Sequence, residues 1–241
     1  MQKYKGRGIL LSTVKYGDNS LVAQLLTDVG GRQSFMVQGV RSTRGRGSKL
    51  ALFQPFFALE FEGVQPTRGE LHRFSEVRSG ITLRRTPFDI RRSTIALFIA
   101  EVLYRLVKES EPNEQLFNFV WGSVEALDTL DEGVANFHLW FLAHLSRFLG
   151  FSPTNNYSKG CYFDIREGHY TPTKPLHSTL LEPDNALILR DMTECDVRHL
   201  GEVGLNRHQR VSFLEALMSY YGYHLEAIHS VKSISILMEL F

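Results

Sequence analysis

The chain has 241 residues, 43% of them hydrophobic, with 27 Lys or Arg against 26 Asp or Glu and two cysteines. That excludes a disordered chain and a disulfide-stapled scaffold. No apolar run reaches the roughly 18 residues of a membrane span, and no signal-peptide pattern opens the sequence, so a cytoplasmic protein is expected. The charge is unevenly placed: residues 1–92 hold sixteen basic and seven acidic side chains, residues 93–241 eleven and nineteen. A basic front joined to an acidic back points to a polyanion partner for the front.

The front reads as strands. The runs GILLSTVKYG and NSLVAQLLTD are separated by Gly17 and Asp18, and VGGRQSFMVQGV places a Gly30-Gly31 turn before a third strand. In FFALEFEGV, Phe57, Leu59 and Phe61 alternate with Ala58, Glu60 and Glu62, the period of a half-buried strand. ELHRFSEVRSG is the fifth. Five short strands in residues 1–80 predict a small closed barrel, for which the OB-fold is the best-known five-stranded architecture.

Between the third and fourth strands lies GVRSTRGRGSKL, with Arg41, Arg44, Arg46 and Lys49 and no acid. It is not a P-loop, which needs G-x-x-x-x-G-K-[ST]: Arg44 stands where the second glycine belongs, and Ser48 precedes Lys49. A nucleic-acid grip or a solvated loop remains. As a grip, its arginines and lysine would neutralise phosphates without reading sequence, and Lys15, Arg32, Arg73, Arg78, Arg84 and Arg85 would extend the track. Phe35, Phe53 and Phe57 are read as core ahead of base-stacking platforms.

Residues 81–241 read as a helical domain, which makes the whole an α+β protein. Thr86, Pro87 and Asp89 predict a capped helix start, followed by an Ile95–Leu106 stripe. Pro112 begins a second helix, and Val134 to Phe148 form a third, stopped by Gly150. Residues 151–190 are an irregular insert with a hairpin-like CYFDIREGHYTPT and a predicted apolar mini-core of Tyr162, Phe163, Tyr170 and Leu176. Asn206 and Gln209 suggest a capping box for a late helix carrying Val211, Leu214, Met218, Tyr221, Leu225 and Ile228. His138 and His144 read as packing residues, and Asp128, Asp131 and Glu132 as a charged helix end. No nucleophile elbow, zinc-protease or dinucleotide motif occurs, so neither catalysis nor a cofactor is expected.

The segments GILLSTVKYGDNSLVAQLLTDVGGRQSFMVQGVRS, LALFQPFFALEFE and LEALMSYYGYHLE…VKSISILMEL, in this order, resemble the bacterial recombination mediator RecO family over nearly the whole chain. The resemblance implies a nucleoid-associated DNA-repair protein that binds single- and double-stranded DNA and anneals complementary strands. It further implies work with RecR and with the acidic tail of single-strand-binding protein, which helps load RecA. For that tail, Arg207 and Arg210 at a helix N-terminus, with Val211 and Leu214 behind them, offer a basic rim over apolar side chains. Several members carry a four-cysteine zinc site in the insert. Here Asp164 stands three residues after Cys161, and Cys161, His169, His177 and Cys195 match no usual ligand spacing, so a metal-free insert is expected. A general single-stranded DNA- or RNA-binding OB protein, and a protein–protein adaptor with a basic face, remain as alternatives.

Overall fold

The computed structural model describes residues 3–39, 49–65 and 71–241. Five strands form the front: β1 (Lys3–Tyr16), β2 (Ser20–Thr27), β3 (Gly31–Gln38), β4 (Ala58–Val64) and β5 (Leu71–Ser79). They close into a barrel in the order β1-β2-β3-β5-β4, antiparallel except for β3 against β5. β1 serves two partners, β4 through Lys3–Ile9 and β2 through Gly8–Tyr16. A bulge between Leu10 and Ser12 interrupts the second pairing. Bulges bend a strand and tighten its twist, which is how one strand closes a small barrel.

Alternation fills the interior. Leu21, Ala23 and Leu25 of β2, Phe35 and Val37 of β3, and Leu59 and Phe61 of β4 are buried together with Leu10 and Phe53. Phe35 stacks on Phe74 at 4.4 Å and meets Phe61 edge-on at 4.9 Å. Phe35 and Phe53 are thus core residues, as their sequence setting suggested. The β2–β3 turn requires its glycine: Gly31 has φ +55°, and a Cβ there would lie 2.4 Å from the Glu111 carbonyl oxygen.

The remaining elements are α1 (Ile90–Leu106), α2 (Glu114–Thr129), α3 (Phe137–Phe148), a small sheet of β6 (Tyr162–Asp164), β7 (His169–Thr171) and β8 (Leu180–Leu181), then α4 (Pro183–Glu194), α5 (Arg207–His224) and α6 (Ile234–Leu240). Two compact units result, 1–128 and 129–241, and the first contains the barrel, α1 and α2 as far as Asp128. Among the described residues, no helix is long and apolar enough to cross a membrane.

Three local expectations are corrected. The N-cap of α1 is Asp89, not Thr86: its carboxylate accepts from the N–H of Arg91 and Arg92, while the Thr86 N–H is engaged by Asp128. In the insert, Leu176 is fully exposed, and the mini-core is built from Cys161, Phe163, Ile165, Tyr170 and Leu181. The α5 capping box forms between Asn206 and Gln209, but the face is rotated. Phe213, Leu214, Leu217, Tyr220 and Tyr221 are buried, whereas Val211 and Met218 are only half-buried. The helix ends at His224, before Leu225 and Ile228.

Candidate nucleic-acid interface

The barrel register brings basic and aromatic side chains to one end. Lys3 pairs with Val64, Val64 with Arg73, Arg73 with Met36, Met36 with Val22, and Val22 with Val14. One row further along, Tyr16 pairs with Ser20 and Ser20 with Gln38. One row back are Ser12, Gln24 and Ser34. Paired residues share a face, so these rows form the outer surface of this end of the barrel, whereas Lys15, paired with the buried Leu21, belongs to the other face and is exposed at the rim. They contain no carboxylate. Lys3, Lys15, Gln38 and Arg73 are exposed, and Tyr16 is 60% exposed. Beyond Met36 and Arg73 the short parallel β3–β5 pairing ends, and the sheet opens into a cleft lined by Gln38, Arg73 and Phe74, with Glu76 as its one acid.

The Gly39 N–H donates to the Asn19 carbonyl at 2.9 Å, so the chain leaves the barrel for the basic loop beside the β1–β2 turn. Arg41, Arg44 and Arg46 lie outside the described residues, as does the side chain of Lys49. What is described is the end of the barrel from which that loop departs. It carries Lys15 and Arg73, expected from sequence, and Tyr16 and Lys3, which were not singled out.

The neighbouring β1–β4–β5 face is electrostatically closed. Lys5 pairs with Glu62 at 3.6 Å, Arg7 with Asp28 at 3.0 Å, and the Arg78 Nε donates to Glu60 at 2.8 Å. With Glu76, these acids line a cleft over β1, β4 and β5. Arg78 therefore sits among carboxylates, apart from Lys15 and Arg73. Arg32 is elsewhere again. Its guanidinium donates to the Tyr104 carbonyl at 2.9 Å, reaches Val107 and Gln24, and stacks on the Tyr104 ring at 4.4 Å. A cation on the last carbonyls of a helix stabilises that end of α1.

Arg84 and Arg85 are exposed on the turn between barrel and α1, and their backbone is held by a residue read from sequence as a solvated helix end. Asp128 is buried, and its carboxylate accepts the N–H groups of Arg84 (2.9 Å), Arg85 (2.9 Å) and Thr86 (2.7 Å). Burial pushes its pKa up, but these hydrogen bonds outweigh that and hold the carboxyl below its ordinary value. No local pattern could have revealed this, since the partners are more than forty residues apart.

In the second unit, Arg207 donates to the carbonyls of Met238 (3.3 Å) and Glu239 (3.2 Å). Arg210 donates to those of Leu205 and Phe241. Both tie the start of α5 to the end of α6. Leu214 is buried and Val211 half-buried behind them. The cysteines and histidines of the insert do not converge. Cys161 is buried, His177 hydrogen-bonds Asp164 at 3.1 Å, and Cys195 caps α4. Among the described residues, no three His, Cys, Asp or Glu side chains are placed to hold a metal. Asp164, at the position three after Cys161, instead builds the hairpin turn, accepting from the N–H of Arg166 and Glu167.

A closed five-stranded barrel with this strand order, followed by a helical extension, defines an OB-fold protein. Residues 1–80 match the family described as Recombination protein O N terminal, and residues 87–233 the one described as Recombination protein O C terminal. The DNA repair protein RecO of Bacteroides fragilis is 38% identical over 236 residues, covering 97% of each chain. Those of Phocaeicola vulgatus and Flavobacterium psychrophilum are 36% and 32% identical, over 97% and 98% of each chain. The chain belongs to the recombination protein O family, and that membership supports a role in DNA repair.

Proposed function

We propose that the protein is a non-enzymatic recombination mediator that holds single- and double-stranded DNA, anneals complementary strands and helps load a recombinase. The observation that carries this reading is the barrel end bearing Lys3, Lys15, Tyr16 and Arg73, where basic side chains outnumber the acids Asp18 and Glu76 and from which the basic 40–48 loop departs. Annealing needs no covalent chemistry. Two polyanions must be brought together, their repulsion screened and their bases left free. Lysine and arginine meet the first two needs by displacing counterions, and an exposed Tyr16 can stack a base without pairing to it.

In this reading residues 1–80 are the DNA-binding domain and residues 81–241 the helical partner domain. RecR and the acidic tail of single-strand-binding protein are the partners, RecA is served indirectly, and the cytoplasmic nucleoid is the site of action. The tail is assigned to the start of α5, where Arg207 is exposed. Its test is charge reversal at Arg207, which should weaken a labelled tail peptide and leave naked-DNA binding intact.

The function itself is tested by annealing complementary strands precoated with single-strand-binding protein. Acceleration over the coated strands alone is expected. The double variant Arg44→Glu, Arg46→Glu should lose it and should flatten the salt dependence of DNA binding by about 0.7–0.9 log–log units per contact removed. DNA binding without any acceleration would leave a general single-strand-binding protein. No DNA binding at low salt would leave a protein–protein adaptor.

A further inference from the structure

The connection from β5 to α1 carries an arrangement that the barrel reading does not use. Phe88 is 85% exposed and Ile90 70% exposed, unusually open for large apolar side chains on either side of the helix-capping Asp89. Arg84, Arg85 and Arg91 are exposed around them. The segment is nevertheless tightly held. Asp128 fixes the N–H groups of residues 84–86, the N–H groups of Phe88 and Asp89 both bond to the Arg85 carbonyl, and Asp89 caps α1. The buried Arg92 completes the frame through Asp89 and the Leu127 carbonyl. The backbone polar groups are turned inward, and the side chains of Arg84, Phe88 and Arg91 outward.

The local charge is one-sided. Asp89 is the only acid in residues 81–92. It accepts two backbone N–H groups and pairs with Arg92 at 3.3 Å. Asp128 is buried beneath three N–H donors. A rigid turn that presents an open aromatic ring between arginines, with its nearest carboxylates compensated, is complementary to a strand with negative backbone and flat apolar bases. Aromatic stacking flanked by phosphate contacts is how single strands are held without sequence preference.

We propose that the Arg84–Arg91 turn is a second single-strand contact, in which Phe88 stacks on an unpaired base while Arg84 and Arg91 meet the phosphates on either side. This rests on the DNA-binding reading above and adds to it a base-dependent contact away from the β2–β3 face. Duplex DNA offers no free base plane along its length, so the turn favours single strands.

The test compares the full chain with Phe88→Ala and Phe88→Trp, using fluorescence anisotropy with oligo-dT, an abasic oligomer of equal length, and a duplex. The side chain is exposed, so the variants should keep the wild-type circular dichroism and melting temperature. Phe88→Ala should lose roughly 10-fold in affinity for oligo-dT, the scale of one base–aromatic stack, and little for the abasic or duplex probes. Phe88→Trp should restore oligo-dT binding. Arg84→Gln with Arg91→Gln should flatten the salt slope on all three probes. Wild-type oligo-dT affinity in Phe88→Ala overturns the inference while leaving the barrel reading intact. Loss of an acidic-peptide interaction with unchanged DNA binding assigns the turn to a protein partner and also overturns it. Absence of any DNA binding by the unaltered chain removes both readings together.

Discussion

Replacing Asp128 by Ala should be among the most damaging single changes in the first unit. The carboxylate accepts three backbone N–H groups at 2.7–2.9 Å from a buried position. Hydrogen bonds to a charged group contribute about 1.5–3 kcal/mol each. Arg84 and Arg85 are surface residues, so water can reach part of the vacated site, and the net loss should be about 3–4 kcal/mol rather than the full sum. Asn should cost less, about 2 kcal/mol. Its oxygen can keep the Arg85 and Thr86 bonds made by Oδ1, while its amide faces the Arg84 N–H donor to donor. The acid dependence follows the same contacts. The folded pKa of Asp128 lies below its ordinary 3.8, so its contribution is complete above about pH 4 and is lost as pH falls through the folded value. Asp128→Asn should lack that share of the acid response. Urea unfolding followed by Trp121 fluorescence in a Trp140→Phe background measures the first unit separately. A loss below about 1 kcal/mol in Asp128→Ala would show that these N–H groups are satisfied without the carboxylate, and the reasoning fails.

Other consequences are equally direct. Burial, with the Arg210 charge adding to it, pushes the His138 pKa down to about 3. The unfolded chain then binds the extra proton first, so stability should fall as pH drops below about 6.5, by about 2–3 kcal/mol by pH 4.5. Urea melts of His138→Gln should show a shallower pH dependence, and an unchanged slope would contradict the buried neutral imidazole. Arg32→Met should cost about 1–2 kcal/mol by removing the contact with the last carbonyls of α1. It should leave the salt slope of DNA binding as it was; a flatter slope would return Arg32 to the DNA contact. In the insert, Phe163→Ala should destabilise by about 3–5 kcal/mol and Leu176→Ser by less than about 0.5 kcal/mol. Chelator should leave the melting temperature unchanged, whereas one chelator-sensitive zinc per chain would overturn the metal-free reading.

The barrel was legible because alternation is a local signal. Leu59 to Glu62, the Gly30-Gly31 turn and the spacing of five short runs each identify a strand or turn without knowledge of the rest, although Phe57 falls before β4 and Ala58 is buried. The α5 capping box was legible for the same reason, since Asn206 and Gln209 are neighbours. The errors arise where distant residues decide. Thr86 looks like an N-cap until Asp128, forty-two residues away, takes its N–H. Arg32 and Lys15 are both basic strand residues in the sequence. Only the Tyr104 carbonyl, seventy-two residues further on, commits one to a helix end and leaves the other exposed. On α5 two phases satisfy a spacing of three and four, and the larger Phe213, Leu217 and Tyr220 set the buried one. Leu176 was drawn into the mini-core by its hydrophobicity alone, while packing selected Cys161 and Ile165. Tyr16 and Lys3 escaped notice because barrel closure, not sequence proximity, brings β1, β3, β4 and β5 to one end.

Annealing of naked complementary strands tests the central assignment most directly when the two sides of the barrel are compared within one assay. Lys15→Glu with Arg73→Glu alters the basic end from which the loop departs. Lys5→Glu with Arg78→Glu makes the same charge change on the ion-paired side, where both residues already face acids. The first pair should abolish annealing at moderate salt and flatten the salt dependence of DNA binding by roughly 0.7–0.9 log–log units per contact. The second should anneal at close to the wild-type rate. Equal loss in both pairs, or loss only in the second, would contradict the assignment of DNA to the barrel end that carries Lys15 and Arg73.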